Sequence, residues 1–91
     1  FDLLGLKVQS DKNGNIKVTE VKKETSAYKE DIKEGDMITQ IDEKAIENIE
    51  NYYDAIANII SGDIVLVGVT TINQSKNFSQ TYSRYIAIKV D

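Results

Sequence analysis

The sequence contains neither cysteine nor histidine in its 91 residues. The absence of both residue types excludes thiol chemistry, the common kinds of zinc site and every histidine-based catalytic triad within this chain. No pair of acidic residues stands beside a partner base that would suggest catalysis. We therefore assign no catalytic residue, no metal ligand and no cofactor, and expect that the chain itself is not an enzyme.

Long hydrophobic runs and an excess of positive charge are also missing. Asp63 limits the apolar stretch at 64–69, which is far shorter than the roughly 18 to 20 residues needed to cross a bilayer. The chain carries 15 acidic and 11 basic residues, a formal charge of −4, and its lysines are scattered. Such a surface repels phosphate backbones. Neither membrane insertion nor nucleic-acid binding is expected.

Length and composition favour one structural unit. A chain of 91 residues with 41% hydrophobic content supports one core, and a second domain would lack apolar surface of its own. Residues 1–91 are therefore predicted to form a single domain. The sequence begins at Phe1 without methionine or a signal-like segment, and we expect it to be a fragment of a longer protein.

Hydrophobic periodicity predicts two helices among five or six strands. Alternating apolar residues predict strands at 3–8, 16–21, 37–41, 45–46, 64–69 and 82–90. A short helix is predicted at 26–32, with Ser26 as its N-cap. Apolar residues spaced three and four apart predict a longer helix that begins at Ile49 and ends at Ser61-Gly62, with Tyr52, Ile56 and Ile60 facing the core. A polar loop through Asn73, Ser75, Lys76 and Asn77 is predicted between the last two strands.

Four segments resemble a known family in sequence and in order. They are Leu-Leu-Gly-Leu at 3–6, the strand and small residues at 18–27, the Gly-Asp-x-Ile run within 32–38, and the helix followed by Gly-Asp and a strand at 46–66. Together they resemble the PDZ domains of the HtrA (Deg) family of periplasmic, trypsin-like serine proteases, over essentially the whole chain. The long loop before the final strand suits the second, C-terminal PDZ domain of such a protease.

The resemblance implies a mainly β fold with two helices: a PDZ-like, partly open antiparallel β-barrel or sandwich of five to six strands, capped by one short and one long helix. It also implies that an extended peptide adds a strand beside the first strand. Because Gly5 has no side chain, the amides of Leu4, Gly5 and Leu6 can turn toward one carboxylate. The predicted peptide-binding residues are Leu3, Leu4, Gly5, Leu6, Lys7 and Val8 on the strand side and Asn51, Ala55, Asn58 and Ile59 on the helix side. Taken alone, alternating residues such as Leu4, Leu6 and Val8 are more often core than groove wall.

The implied partners follow from the same resemblance. They are peptides or unfolded protein segments with apolar C-termini, the protease domain and another PDZ domain of the parent chain, and further copies of the parent in a homo-oligomer. The implied setting is protein quality control in the bacterial periplasm. Two alternatives stay open: an assembly domain of the same protease family whose groove is shallow or filled by its own chain, and a PDZ domain of another bacterial protease or a secretion-system component.

Overall fold

Six antiparallel strands form one open sheet in the computed structural model of the chain, which describes residues 1–75 and 77–91. The strands are β1 (Leu6–Ser10), β2 (Ile16–Val21), β3 (Met37–Ile41), β4 (Lys44–Ala45), β5 (Ile64–Gln74) and β6 (Ser79–Lys89), and the helices are α1 (Ser26–Lys29) and α2 (Ile49–Ile56). The strand order is β1-β2-β3-β5-β6, with β4 paired to β3. This architecture confirms the predicted mainly β fold with one short and one longer helix.

The core lies on one face of the sheet and draws on both helices. Alternation along β5 places Val65, Val67 and Val69 inside, while Ile64 and Leu66 are exposed on the opposite face, as the two-residue period of a strand requires. The remaining buried apolar residues are Leu4, Leu6, Ile16, Val18, Ala27, Ile32, Ile38, Ile41, Ile46, Tyr52, Ile56, Ile86, Ile88 and Val90.

The first helix is a single turn whose N-cap is Thr25, so the prediction of Ser26 as the cap is wrong. The Thr25 hydroxyl accepts a hydrogen bond from the Tyr28 amide at 3.3 Å and donates one to the Lys22 carbonyl at 2.7 Å. Ser26 instead accepts a hydrogen bond from the Lys89 amide at 3.0 Å. The N-cap therefore lies one residue earlier than predicted, because the Ser26 hydroxyl is hydrogen-bonded to β6 and does not cap α1.

The second helix ends at Ile56, earlier than the predicted Ser61-Gly62. Beyond it, the amide of Ile59 donates to the carbonyl of Ile56, three residues back. The amide of Gly62 donates to the carbonyl of Val90, so the residues after Ile56 contact the C-terminal segment and do not continue the helix. Ile60 is 67% exposed, and its predicted core position is wrong. Neither helix in the described ranges is long and apolar enough to cross a membrane.

The final hairpin is longer than predicted, and its connecting loop is shorter. β5 and β6 each have 11 residues, paired from Ile64–Lys89 to Gln74–Ser79. The hydroxyl groups of Thr70 and Ser83 form a hydrogen bond of 2.8 Å across the pair. Such polar cross-strand pairs stabilise strands that face solvent. The polar residues predicted as loop at 71–74 and 79–81 are therefore strand; of the predicted loop residues, Lys76 lies outside the described residues.

Candidate functional site

One long edge of β1 carries no partner strand within residues 1–75 and 77–91. The pairing of β2 shows which groups face that edge. Val18 donates its amide to Asp36 and accepts from Gly35, so its main chain points to the β3 side and the Val8–Val18 pair is not hydrogen-bonded. The main-chain N–H and C=O of Val8 therefore point outward, and by alternation so do those of Leu6 and Ser10.

The amides at 4–6 turn toward a residue of the same chain. The amides of Leu4 and Leu6 donate to Oδ1 of Asp2 at 2.9 and 3.1 Å, and the Gly5 amide donates to the Asp2 carbonyl at 3.0 Å. The Asp2 amide in turn donates to the Leu6 carbonyl at 2.9 Å. Both outward-facing main-chain groups of Leu6, its N–H and its C=O, are thus hydrogen-bonded to Asp2.

Gly5 is required for the shape of this turn. Its φ of +79° lies in the left-handed region, and a Cβ at this position would meet the Thr25 side chain at 3.0 Å. Thr25 cannot retreat freely, because its hydroxyl is fixed by the two hydrogen bonds that cap α1. A residue with a side chain would therefore strain the backbone and press against a fixed neighbour.

Tyr52 holds the Asp2 carboxylate from the opposite side. Its hydroxyl donates to Oδ2 of Asp2 at 2.5 Å, and its side chain is fully buried in α2. Burial, and after it the negative charge of Asp2, raises the pKa of Tyr52 well above its ordinary value. The phenol therefore stays protonated and acts as a donor, and it links the turn at 2–6 to the helix.

An open depression lies beside this turn and the start of β1. It has a volume of about 440 Å³, and Tyr53 is the α2 residue on its border. The Lys7 ammonium lies 4.7 Å above the Phe1 ring and 3.2 Å from the Glu20 carboxylate. The depression is lined by Phe1, Asp2, Leu6, Lys7, Val8, Thr19 and Tyr53.

On the strand side, the predicted peptide-binding residues fall into three groups. Leu4 and Leu6 are each 1% exposed, so their side chains belong to the core and only their main chains face the turn. Lys7 is exposed and Val8 is half-buried, and both border the depression. Leu3 is 47% exposed and borders a separate depression on the other side of the turn, together with Gly5.

On the helix side, the predicted residues do not border the depression at β1. Asn51 accepts a hydrogen bond from the Glu47 amide at 3.1 Å, and Ala55 and Ile59 pack partly against the core. Asn58 is exposed. A peptide-binding role for these four residues and for residues 3–8 stays a prediction.

Asp2 and Tyr53 are site residues that were not predicted from the sequence. A signal for Asp2 was present, because an aspartate often accepts a hydrogen bond from the amide two residues further on, and Leu4 stands at that position. Tyr53 carried no such signal, since the apolar spacing of α2 grouped it with Tyr52, which is buried, whereas Tyr53 is 53% exposed.

Comparison with known proteins identifies the family. The model of the PDZ domain matches residues 2–70, a range that includes Asp2, the β1 edge and α2 and that ends within β5. A search of curated proteins finds no match.

Proposed function

Since the chain belongs to the PDZ family, whose domains are non-catalytic modules that bind peptides and proteins, we propose that it binds an extended peptide as an additional antiparallel strand on the free edge of β1. The outward-facing main chain of Val8, with Ser10 two residues on, carries this proposal. Main-chain hydrogen bonds supply the affinity in this mode, and side-chain pockets supply the selectivity.

The surroundings of that edge favour an apolar peptide. The half-buried Val8 side chain and the ring of Tyr53 border the depression beside the edge, and a peptide side chain facing the core side of the sheet would pack on them. Such contacts contribute roughly 25 cal/mol per Å² of buried apolar surface. We propose partners that are unfolded or extended segments with apolar residues at alternate positions.

The parent of this domain is proposed to be an HtrA-type serine endoprotease of the bacterial periplasm. The segments at 3–6, 32–38 and 46–66 support this through their resemblance to that family. The domain would regulate the protease or deliver substrate to it. The coding sequence on either side provides the test: a trypsin-like domain is expected on the N-terminal side, and a different flanking domain would favour another bacterial protease or a secretion-system component.

Peptide binding is tested with an acetylated and amidated heptapeptide rich in valine and leucine, measured by titration calorimetry and by amide shifts in NMR spectra. The largest shifts are expected at Val8 and Ser10. Two further peptides carry N-methyl groups at alternate residues, in one frame or the other. Because only one frame faces β1, one methylated peptide should lose about tenfold or more in affinity and the other should retain it. Equal loss in both frames, or shifts confined to β6, would contradict the proposal.

Assembly of the parent is the second candidate, and one observation favours it: the loop that would receive a ligand carboxylate already contacts Asp2 of the same chain. If the β1 edge joins copies of the chain, sedimentation velocity will show a mass that rises with concentration. The amide signals of Val8 and Ser10 will then broaden over the same range, and a monomer at all concentrations would argue against it.

A further inference from the structure

Asp2 contacts the turn at 4–6 in the manner of the last residue of a bound peptide. Such a residue would offer one main-chain N–H to an outward-facing carbonyl of β1 and one carboxylate to converging amides. Asp2 does both: its amide donates to the Leu6 carbonyl, and its carboxylate accepts from the amides of Leu4 and Leu6. The amide donors and the carbonyl acceptor that the last residue of a peptide needs are therefore already hydrogen-bonded within the chain.

We infer that Asp2 is a specificity-determining residue. Its carboxylate accepts the hydrogen bonds of the turn at 4–6, so that the domain excludes free C-terminal carboxylates and accepts internal segments along Val8–Ser10. This inference rests on the proposed function, because it names the class of peptide that the same edge binds.

The edge divides into an occupied part and a free part. The outward-facing amide and carbonyl of Leu6 are both hydrogen-bonded to Asp2. The outward-facing groups of Val8 and Ser10 have no strand beside them in the described ranges. An internal segment can pair with Val8 and Ser10 and leave Asp2 in place. A peptide ending at the turn must first displace Asp2.

Displacement is opposed by four effects. Asp2 makes two charge-assisted hydrogen bonds to amides, which are stronger than hydrogen bonds between neutral groups. Its second oxygen is held by the buried Tyr52 hydroxyl. Finally, a ligand carboxylate that enters while Asp2 stays nearby brings two like charges together. Because Asp2 is attached to the turn by the chain itself, its effective concentration there also exceeds that of a free peptide.

The test compares one apolar heptapeptide ending in valine in two forms, the free acid and the C-terminal amide, by fluorescence anisotropy. Asp2→Ala removes the carboxylate and keeps the amide that donates to Leu6. Asp54→Ala is the matched control, since it removes an equal charge from an exposed position on α2.

The wild-type chain and the Asp54→Ala variant should bind both peptide forms within about twofold. Asp2→Ala should bind the free acid about 10- to 100-fold more tightly than the wild-type chain does, and the amide as before. A wild-type preference for the free acid would overturn the inference, as would a folded Asp2→Ala variant that binds the amide and gains nothing for the acid.

A second measurement separates this inference from the proposed function. Acetate, titrated into Asp2→Ala and wild type while NMR follows the amides of Leu4 and Leu6, probes the turn without any peptide. Saturable shifts in the variant alone support the inference even if neither peptide binds, in which case only the proposed function fails. Equal response of both proteins overturns the inference even if the amide peptide binds at Val8. If Asp2→Ala does not fold, Asp2→Asn keeps the Oδ1 acceptor without the charge, and acetate should shift these amides more than in wild type; an equal response again overturns the inference.

Discussion

Replacing Tyr52 with phenylalanine removes one hydroxyl and leaves the packing of the ring unchanged. The side chain is fully buried, and its ring lies edge-on to Tyr53 at 5.5 Å between centroids. Because phenylalanine retains the ring, at most a void of about one oxygen atom opens, and the main energetic effect is the loss of the hydrogen bond with Oδ2 of Asp2. Hydrogen bonds to charged groups contribute about 1.5–3 kcal/mol, and partial exposure of Asp2 places the expected loss in the lower part of that range.

The same substitution should behave differently when its partner is absent. In an Asp2→Ala background, the Tyr52 hydroxyl is buried without Asp2, so removing it should be neutral or stabilising. The coupling free energy between the two positions is then at least as large as the cost in wild type, about 1.5–2 kcal/mol or more. Urea unfolding followed by circular dichroism measures all four members of this cycle, with Tyr53→Phe as a half-exposed control that should stay within about 0.5 kcal/mol of wild type. An equal cost of Tyr52→Phe in both backgrounds would refute the contact and with it the anchoring of Asp2.

Two further predictions concern a glycine and a turn. Gly5→Ala should destabilise the fold more than Gly35→Ala by about 1–3 kcal/mol in urea unfolding, because both positions have positive φ but only a Cβ at Gly5 meets Thr25; equal costs would contradict the close approach. Partial desolvation raises the pKa of Asp11, but hydrogen bonds from the amides two and four residues on outweigh it, so the pKa lies below 3.8. A lowered folded-state pKa adds stability above that value, and this stability is lost as pH falls through the folded-state pKa. The difference in Tm between wild type and Asp11→Asn should therefore narrow as the pH falls from about 5 through the folded-state pKa, and a constant difference would contradict the role of these hydrogen bonds.

Periodicity was sufficient to predict the sheet but not the ends of its elements. The strands at 16–21 and 37–41 match the structure residue for residue, because a period of two and flanking turn residues are both local signals. After α2, which ends at Ile56, the chain makes a hydrogen bond from Gly62 to Val90, a residue remote in sequence. The lengths of β5 and β6 also depend on contacts that are not local in sequence. Their polar outer halves are typical of a loop, and they form strands because each is hydrogen-bonded to the other.

The candidate site shows the same division. The position of the turn at 4–6 was predicted from Gly5, its apolar neighbours and the resemblance to PDZ domains. What fills the turn depends on a single acidic side chain near the start of the chain and on a tyrosine 50 residues later. No periodic pattern connects Asp2 with Tyr52, since their contact is made by the tertiary fold alone.

The unpaired sides of the sheet are a hazard as well as a binding surface, because exposed strand edges promote aggregation between copies of a protein. At one margin, Asp2 occupies the hydrogen-bonding groups of Leu6 and shortens the stretch of β1 that another chain could extend. At the other margin, Ser26 accepts from the Lys89 amide and Arg84 reaches the carbonyls at the end of α1. Each outermost strand is thus partly sealed by neighbouring chain, which disfavours uncontrolled growth of the sheet into fibres.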